Sequence, residues 1–304
     1  MMKKEKVLRN PTQEDFNKEL EKTITNGVEI TEEEKIQHQS ILKPKTSIFE
    51  PDPVKFKLPS GNSVVKKEFL TENNEIFVRR FTVNEESIFQ SYINTNIDAN
   101  NIDISAEDFI TTINKMLNLC IKTNINVEEL SIIDKIPLFI FIIGISYGFD
   151  HELNFICSEC GKVFKNKINL QKEIIINYLP YDYQYPVINI KNTDINIYLT
   201  YPLVKDEIVF IKTDVLTQIM LLISKITGHK PDGNIITEED YEDIIKNIPN
   251  NIKKEIKQFV EDYSIFGTQM IINKNICRNE QCSLFKKKQD VIVPIPSILI
   301  DTIF

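Results

Sequence analysis

Cys157-Ser-Glu-Cys160-Gly161 and Cys277-Arg-Asn-Glu-Gln-Cys282 are the two stretches on which the fold turns, and no cysteine lies between them. A tetrahedral zinc ion takes soft thiolates delivered in short-spaced pairs, with about two to four residues between partners, because one tight turn has to aim both sulfurs. Both pairs meet that spacing, so Cys157, Cys160, Cys277 and Cys282 are the expected ligands of one zinc per chain. Gly161 suits the positive φ with which such a turn closes. Four cysteine ligands leave no coordination position for water, which makes the expected zinc structural rather than catalytic.

Disulfides are the competing reading in a small secreted chain, but 304 residues can build an ordinary core, and Met1–Asn10 contain no apolar stretch of the secretory type. Reduced thiols are therefore expected. Cys120 falls in the apolar series Ile113, Met116, Leu117, Cys120 and reads as a small buried hydrophobe. His151, six residues before Cys157, is the one histidine near enough to replace a cysteine; it reads as a strand residue instead.

An apolar content of 42% with 26% charged residues is that of a globular protein. The longest apolar run, Ile136 to Ile145, is broken by Pro137 and falls far short of the ~20 residues that span a bilayer, so no membrane segment is expected. A net charge of −8 argues against a protein that coats nucleic acid, since phosphate backbones are held by clustered Lys and Arg. The cysteine pairs do sit among cations: Lys162, Lys165 and Lys167 beside the first, and Arg278, Lys286, Lys287 and Lys288 beside the second. Zinc bound by four thiolates carries a formal charge of −2, and these side chains read as its compensation.

Working outward, residues 1–53 mix Lys/Arg with Asp/Glu at weak periodicity and read as an extended or disordered arm. Alternation at Val54–Leu58 and Glu75–Phe81, separated by the turn Pro59-Ser-Gly-Asn62, predicts antiparallel strands. Helix starts follow at Thr82-Val-Asn-Glu85 and Ser105-Ala-Glu-Asp108, both spaced as capping boxes. Asp134 is the expected cap of a third helix, apolar nearly all round and therefore buried, with Pro137 in its first turn. Strands are expected on either side of each cysteine pair: Leu153–Cys157 and Val163–Leu170, then Thr268–Asn273 and Asp290–Pro294. Between them lie a hairpin at Val187–Ile190 and Ile195–Leu199, and helices after Asp214, after Thr237 and over Ile252–Tyr263. The expected fold is α+β: small antiparallel β elements and a split zinc ribbon combined with two helical segments. Its expected division is an arm at 1–53, a β-hairpin plus helical domain at 54–150, and a zinc-ribbon domain at 151–304 with an inserted β/α subdomain at 171–267.

Gly144-Ile-Ser-Tyr-Gly148 formally matches the nucleophile elbow G-x-S-x-G, but helix signals precede it and no glycine-rich oxyanion loop accompanies it. Gly148 reads as a helix end. Walker, dinucleotide and H-E-x-x-H motifs are missing from the sequence. No catalytic residues are expected, and the chain is not read as an enzyme.

The order Leu58-Pro-Ser-Gly61, then Val78-Arg-Arg-Phe-Thr82 leading to Glu85-Glu86, then Cys120, then Ser146-Tyr-Gly148 with Phe155-Ile-Cys-Ser-Glu-Cys-Gly161, resembles a family of baseplate proteins from contractile-tailed phages of the T-even type. The likeness covers roughly residues 55 to 170, with a weaker one at the second cysteine pair and the apolar tail Ile295–Phe304. The long arm before residue 50 and the Asn-rich loops depart from the pattern. Members of that family are baseplate hub subunits or hub-assembly proteins. The resemblance implies a structural virion protein of the tail baseplate, present in the host cytoplasm during assembly, with other baseplate and tail subunits as partners in a multi-copy assembly. Two other readings are a zinc-ribbon nucleic-acid-binding regulator and a transient assembly factor that leaves before maturation.

Overall fold

The computed structural model describes residues 42–43, 50–61, 65–98, 101–102, 105–180, 183, 185–263 and 267–293. Most of the N-terminal arm and the tail after Val293 lie outside them.

Two strands, β1 (Val54–Lys57) and β2 (Glu75–Val78), pair antiparallel with Phe56 opposite Ile76. Helix α1 (Val83–Asn96) leads through a short ladder, β3 (Ile97–Asp98) with β4 (Asn101–Ile102), to α2 (Ala106–Cys120). Ser105 caps α2 by accepting the Asp108 amide, as its sequence position implied. At the head of α1 the arrangement differs from a full capping box. The Glu85 carboxylate accepts both the Thr82 amide, at 2.6 Å, and the Thr82 hydroxyl, at 2.8 Å. Helix α3 (Ile132–Tyr147) is the central element, apolar on every side and buried from Pro137 to Gly144.

Asp134 does not cap α3. The helix starts after Ser131, which places Asp134 and Pro137 inside it. Pro137 has no N–H to give the Ile133 carbonyl, and Gly267 packs there so closely that a Cβ would sit 3.0 Å from that oxygen. The Asp134 carboxylate reaches out of the helix instead, accepting the Ser60 amide at 2.7 Å and the Ser60 hydroxyl at 2.6 Å. It is fully buried and bonded to neutral donors. Burial pushes its pKa up to about 7, against the Ser60 and Ser131 hydrogen bonds. A carboxyl whose folded pKa lies above its unfolded one stabilises the native state while protonated. That contribution is lost as pH rises from about 4 to about 7, on the order of 4 kcal/mol. Urea unfolding at pH 5, 6, 7 and 8 is expected to show this loss in the native sequence. Asp134→Asn should flatten the profile, because Ser60 can accept from the new amide.

Two hairpins carry the cysteines at their tips. Strands β5 (Asp150–Ile156) and β6 (Val163–Asn169) pair along their whole length, with His151, Leu153 and Phe155 turned inward. After a short helix, α4 (Leu170–Glu173), comes β7 (Ile175–Asn177). Near the other end of the chain, β11 (Gly267–Gln269) precedes the hairpin β12 (Ile271–Asn275) and β13 (Lys288–Ile292). Strands β7 and β11 pair with each other, Asn177 opposite Gly267. The sequence had offered no signal for β7, and it had merged β11 with β12.

What lies between β7 and β11 builds its own layer. The sheet order β10–β9–β8 joins β8 (Val187–Asn189), β9 (Asn196–Leu199) and β10 (Ile223–Thr227). Helices α5 (Glu207–Lys212), α6 (Val215–Leu221), α7 (Tyr241–Lys246) and α8 (Asn250–Tyr263) complete it. Asp214 caps α6 by accepting the Leu216 and Thr217 amides. Among the described residues two large apolar clusters result. One gathers Phe56, Ile76, Phe89, Met116, Phe139 and Ile142 with Leu153, Phe155, Ile168, Ile272 and Val293. The other gathers Ile188, Ile197, Leu199, Ile226, Ile245, Ile252 and Phe259. A buried ion pair, Lys135 Nζ to Glu207 Oε2 at 2.6 Å, ties α3 to α5.

Candidate metal centre

The first cysteine turn closes because Gly161 adopts φ +64°, letting its amide reach the Cys157 carbonyl at 3.0 Å while the Cys157 amide bonds Lys162 O at 3.0 Å. A Cβ at position 161 would have open space around it, so the constraint is backbone conformation alone. Gly161→Val is therefore expected to lose about 1–2 kcal/mol, the usual left-handed penalty, in an unfolding titration. The second turn is longer. The Cys282 amide bonds Asn279 O, the Phe285 amide bonds Cys282 O, and Lys286, at φ +54°, returns its amide to Cys277 O at 3.3 Å.

The hairpins meet at their tips. Cys157 Sγ lies 3.8 Å from Cys282 Sγ, and Cys160 Sγ lies 3.9 Å from Cys277 Sγ. All four sulfurs fall within 4.8 Å of one another. A disulfide needs about 2.05 Å between sulfurs, and these are free thiols. Four thiolates at about 2.3 Å from a zinc ion form a tetrahedron with edges of about 3.8 Å. The donor set and its spacing fit such an ion. Cys157 and Cys277 are buried, Cys160 and Cys282 half-buried.

The thiols differ in acidity because they face different groups. The Cys160 amide, with those of Glu159 and the neighbouring thiols, brings Cys157 down to about 6. Burial pushes Cys277 up to about 12. Against the pull of the Leu284 amide, burial and the Cys157 and Cys160 thiols raise Cys282. One negative charge is thus readily accommodated and a second is resisted. Four thiolates at this spacing need a cation among them.

Around the cluster, Arg278 Nη2 donates to Lys165 O at 3.1 Å, bridging one hairpin to the other. Ser158 Oγ donates to Gln289 Oε1 at 3.4 Å. Lys274 Nζ lies 2.7 Å from Glu173, joining β12 to α4. Lys165 and Lys167 both lean on Glu152. His151 turns away from the sulfurs, its Nε2 2.9 Å from Gly148 O. Cys120 stays apart from the cluster, buried 3.8 Å from Arg79 Nη1, and burial drives its pKa above the usual thiol range.

The short motifs upstream of the cysteines supply polar fastenings of the first core, some at α1 and some at α3. Arg79 grips Glu85 with both terminal nitrogens at 3.0 Å. Ser146 Oγ donates to Ile142 O and accepts the Phe81 amide at 2.9 Å. Tyr147 Oη donates to Glu86 at 2.7 Å. Gly144 sits against the Phe149 ring, where a Cβ would come within 2.0 Å of a ring carbon, and Gly148 ends the helix at φ +94°. The G-x-S-x-G string is used for packing and for stopping a helix. In the sequence these residues carry no evident role; the one available signal is the opposite charges of Arg79 and Glu85 flanking a helix start.

Residues 53–289 match the family model described as T4 bacteriophage base plate protein. No curated protein and no solved structure matches the chain significantly.

Proposed function

Because the chain belongs to the T4 bacteriophage base plate protein family, we propose that it works as a hub or hub-proximal subunit that docks neighbouring tail proteins and catalyses no reaction. Membership of the family makes it a phage baseplate protein with a place in the tail. The observation that carries the mechanical reading is the meeting of four sulfurs within 4.8 Å from hairpins at opposite ends of a long insert. In this reading Cys157, Cys160, Cys277 and Cys282 hold one structural zinc ion, which supplies cross-linking and charge neutralisation when bound. The thiolate set closes the site to water. The rest is done by the chain: the amides at Glu159 and Cys160 stabilise Cys157 as thiolate, and Arg278 holds the two hairpins in register.

Two apolar clusters support a division into a body, comprising residues up to about 177 and from about 267, and a β/α insert between them. The body would give rigidity and the insert a separate contact surface. Among the described residues no helix is long and apolar enough to cross a membrane.

The test is where a tagged copy sits in purified tail particles, read by cryo-electron microscopy together with mass spectrometry of the mature virion. Density at the hub with peptides in the virion is expected. A protein found on assembly intermediates and missing from virions would instead be a transient assembly factor, and the hub-subunit reading would fall.

A further inference from the structure

We propose that the outward face of the first cysteine hairpin, β5 with β6, is a low-affinity self-association surface, on which a second copy of this chain packs face to face about a two-fold axis parallel to the strands. The contact goes beyond the docking role proposed above and needs no tail particle to form.

The hairpin alternates strictly. His151, Leu153 and Phe155 of β5 and Asn166 and Ile168 of β6 are buried, so Asp150, Glu152, Asn154 and Ile156 share the other face with Val163, Lys165 and Lys167, all exposed. A solvated antiparallel face is ordinarily polar. This one ends in an apolar cross-strand pair, Ile156 opposite Val163, which remain 67% and 59% exposed. Contact between the two supports the hairpin, and their outer surfaces stay in water.

Charge on this face is sorted by strand. The acids Asp150 and Glu152 stand on β5, the cations Lys165 and Lys167 stand on β6, and the register sets Glu152 level with Lys167. Within one copy, Glu152 lies 3.4 Å from Lys165 Nζ and 3.8 Å from Lys167 Nζ. Such a face is complementary to itself. A two-fold axis parallel to the strands, midway between two such faces packed ~10 Å apart, exchanges the positions of β5 and β6 while keeping every residue at its own level. Ile156 then lies over the partner's Val163 and Glu152 over the partner's Lys167, and each contact is made twice. An axis across the strands would instead turn the apolar end of one face onto the acidic end of the other, setting Ile156 toward the partner's Asp150. The parallel axis is the one that matches apolar to apolar and acid to cation.

Size sets the strength. The seven exposed side chains offer on the order of 400 Å² per copy, about half of the ~800 Å² of a standard interface, so micromolar affinity or weaker is expected. Such a contact operates where copies are concentrated.

The experiment is sedimentation velocity of the full chain over a concentration series reaching on the order of 100 μM. A reversible equilibrium between monomer and dimer is expected. Glu152→Lys and Lys167→Glu, each alone, set like charges against each other across the axis and should weaken the dimer at least tenfold. Mixed together, the two variants regain both cross-copy pairs, and a one-to-one dimer should return near native strength. A chain carrying both substitutions keeps opposite charges level and should dimerise as the native chain does, which separates loss of contact from loss of fold. A native chain that stays monomeric throughout would overturn the proposal. So would dimers indifferent to the single reversals, or a mixture that fails to recover them.

Discussion

Cys157→Ser or Cys282→Ser is expected to leave a protein without stoichiometric zinc and largely insoluble. The native chain should carry one zinc per chain by elemental analysis. The magnitude follows from what the sulfurs join. Structural zinc sites of this donor type contribute on the order of 10 kcal/mol of apparent free energy at neutral pH, comparable with the whole stability of a domain, about 5–15 kcal/mol. The substitution removes one of four ligands, and weaker zinc binding withdraws the cation that would let Cys277, otherwise held up to about 12 by burial, ionise. The hairpins would then meet only through contacts such as Arg278 to Lys165 O. Full zinc occupancy in the doubly substituted protein would show that other groups bind the ion.

The second large effect is expected at Glu85. This carboxylate is 0% exposed and accepts two bonds from Arg79 and two from Thr82. Glu85→Ala leaves a buried guanidinium with Glu50 as its remaining ion-pair partner in the network, and breaking a buried pair in this way costs about 3–5 kcal/mol. Glu85→Gln keeps the shape and should fall between the two. Urea titration of the three proteins measures the series; a loss under about 1 kcal/mol for the alanine variant would mean that the pair contributes little net stability. Acid should act through the same group. Burial would raise Glu85, but Arg79 and Thr82 hold it below the usual carboxylate range. Its stabilisation is therefore present above about pH 4.5 and lost as pH falls through the depressed value. Asp134 slopes the other way, so the two carboxylates narrow the stability maximum from opposite sides.

Much of this fold was legible because its signals are local. Alternation marked β1 and β2, the flanks of the first cysteine pair marked β5 and β6, hydroxyl or acidic caps marked the starts of α2 and α6, and a surface apolar nearly all round marked α3 as the buried helix. The cysteine spacing proposed the cluster, and the geometry brings all four sulfurs together. What stayed illegible depends on partners far away in sequence. Strand β7, three residues long, exists because β11 lies opposite it. Strand β10 follows α6 after a single residue, Leu222, and no glycine or proline in the sequence separates the two. Asp134 has the residue type and spacing of a cap; only the arrival of Ser60 from another element turns it into a tether.

The ladder at Asn177 and Gly267 brings the two ends of the insert side by side. Residues opposite each other in an antiparallel pair stand about 5 Å apart, whatever the chain does beyond them. The pairing itself therefore sets no condition on the length of that excursion, and a two-residue turn has the span to join its ends. Such a geometry lets a lineage lengthen, trim or exchange what the insert displays away from α3, while the contacts that reach the helix, Lys135 with Glu207 and Val204 in the first core, stay under constraint.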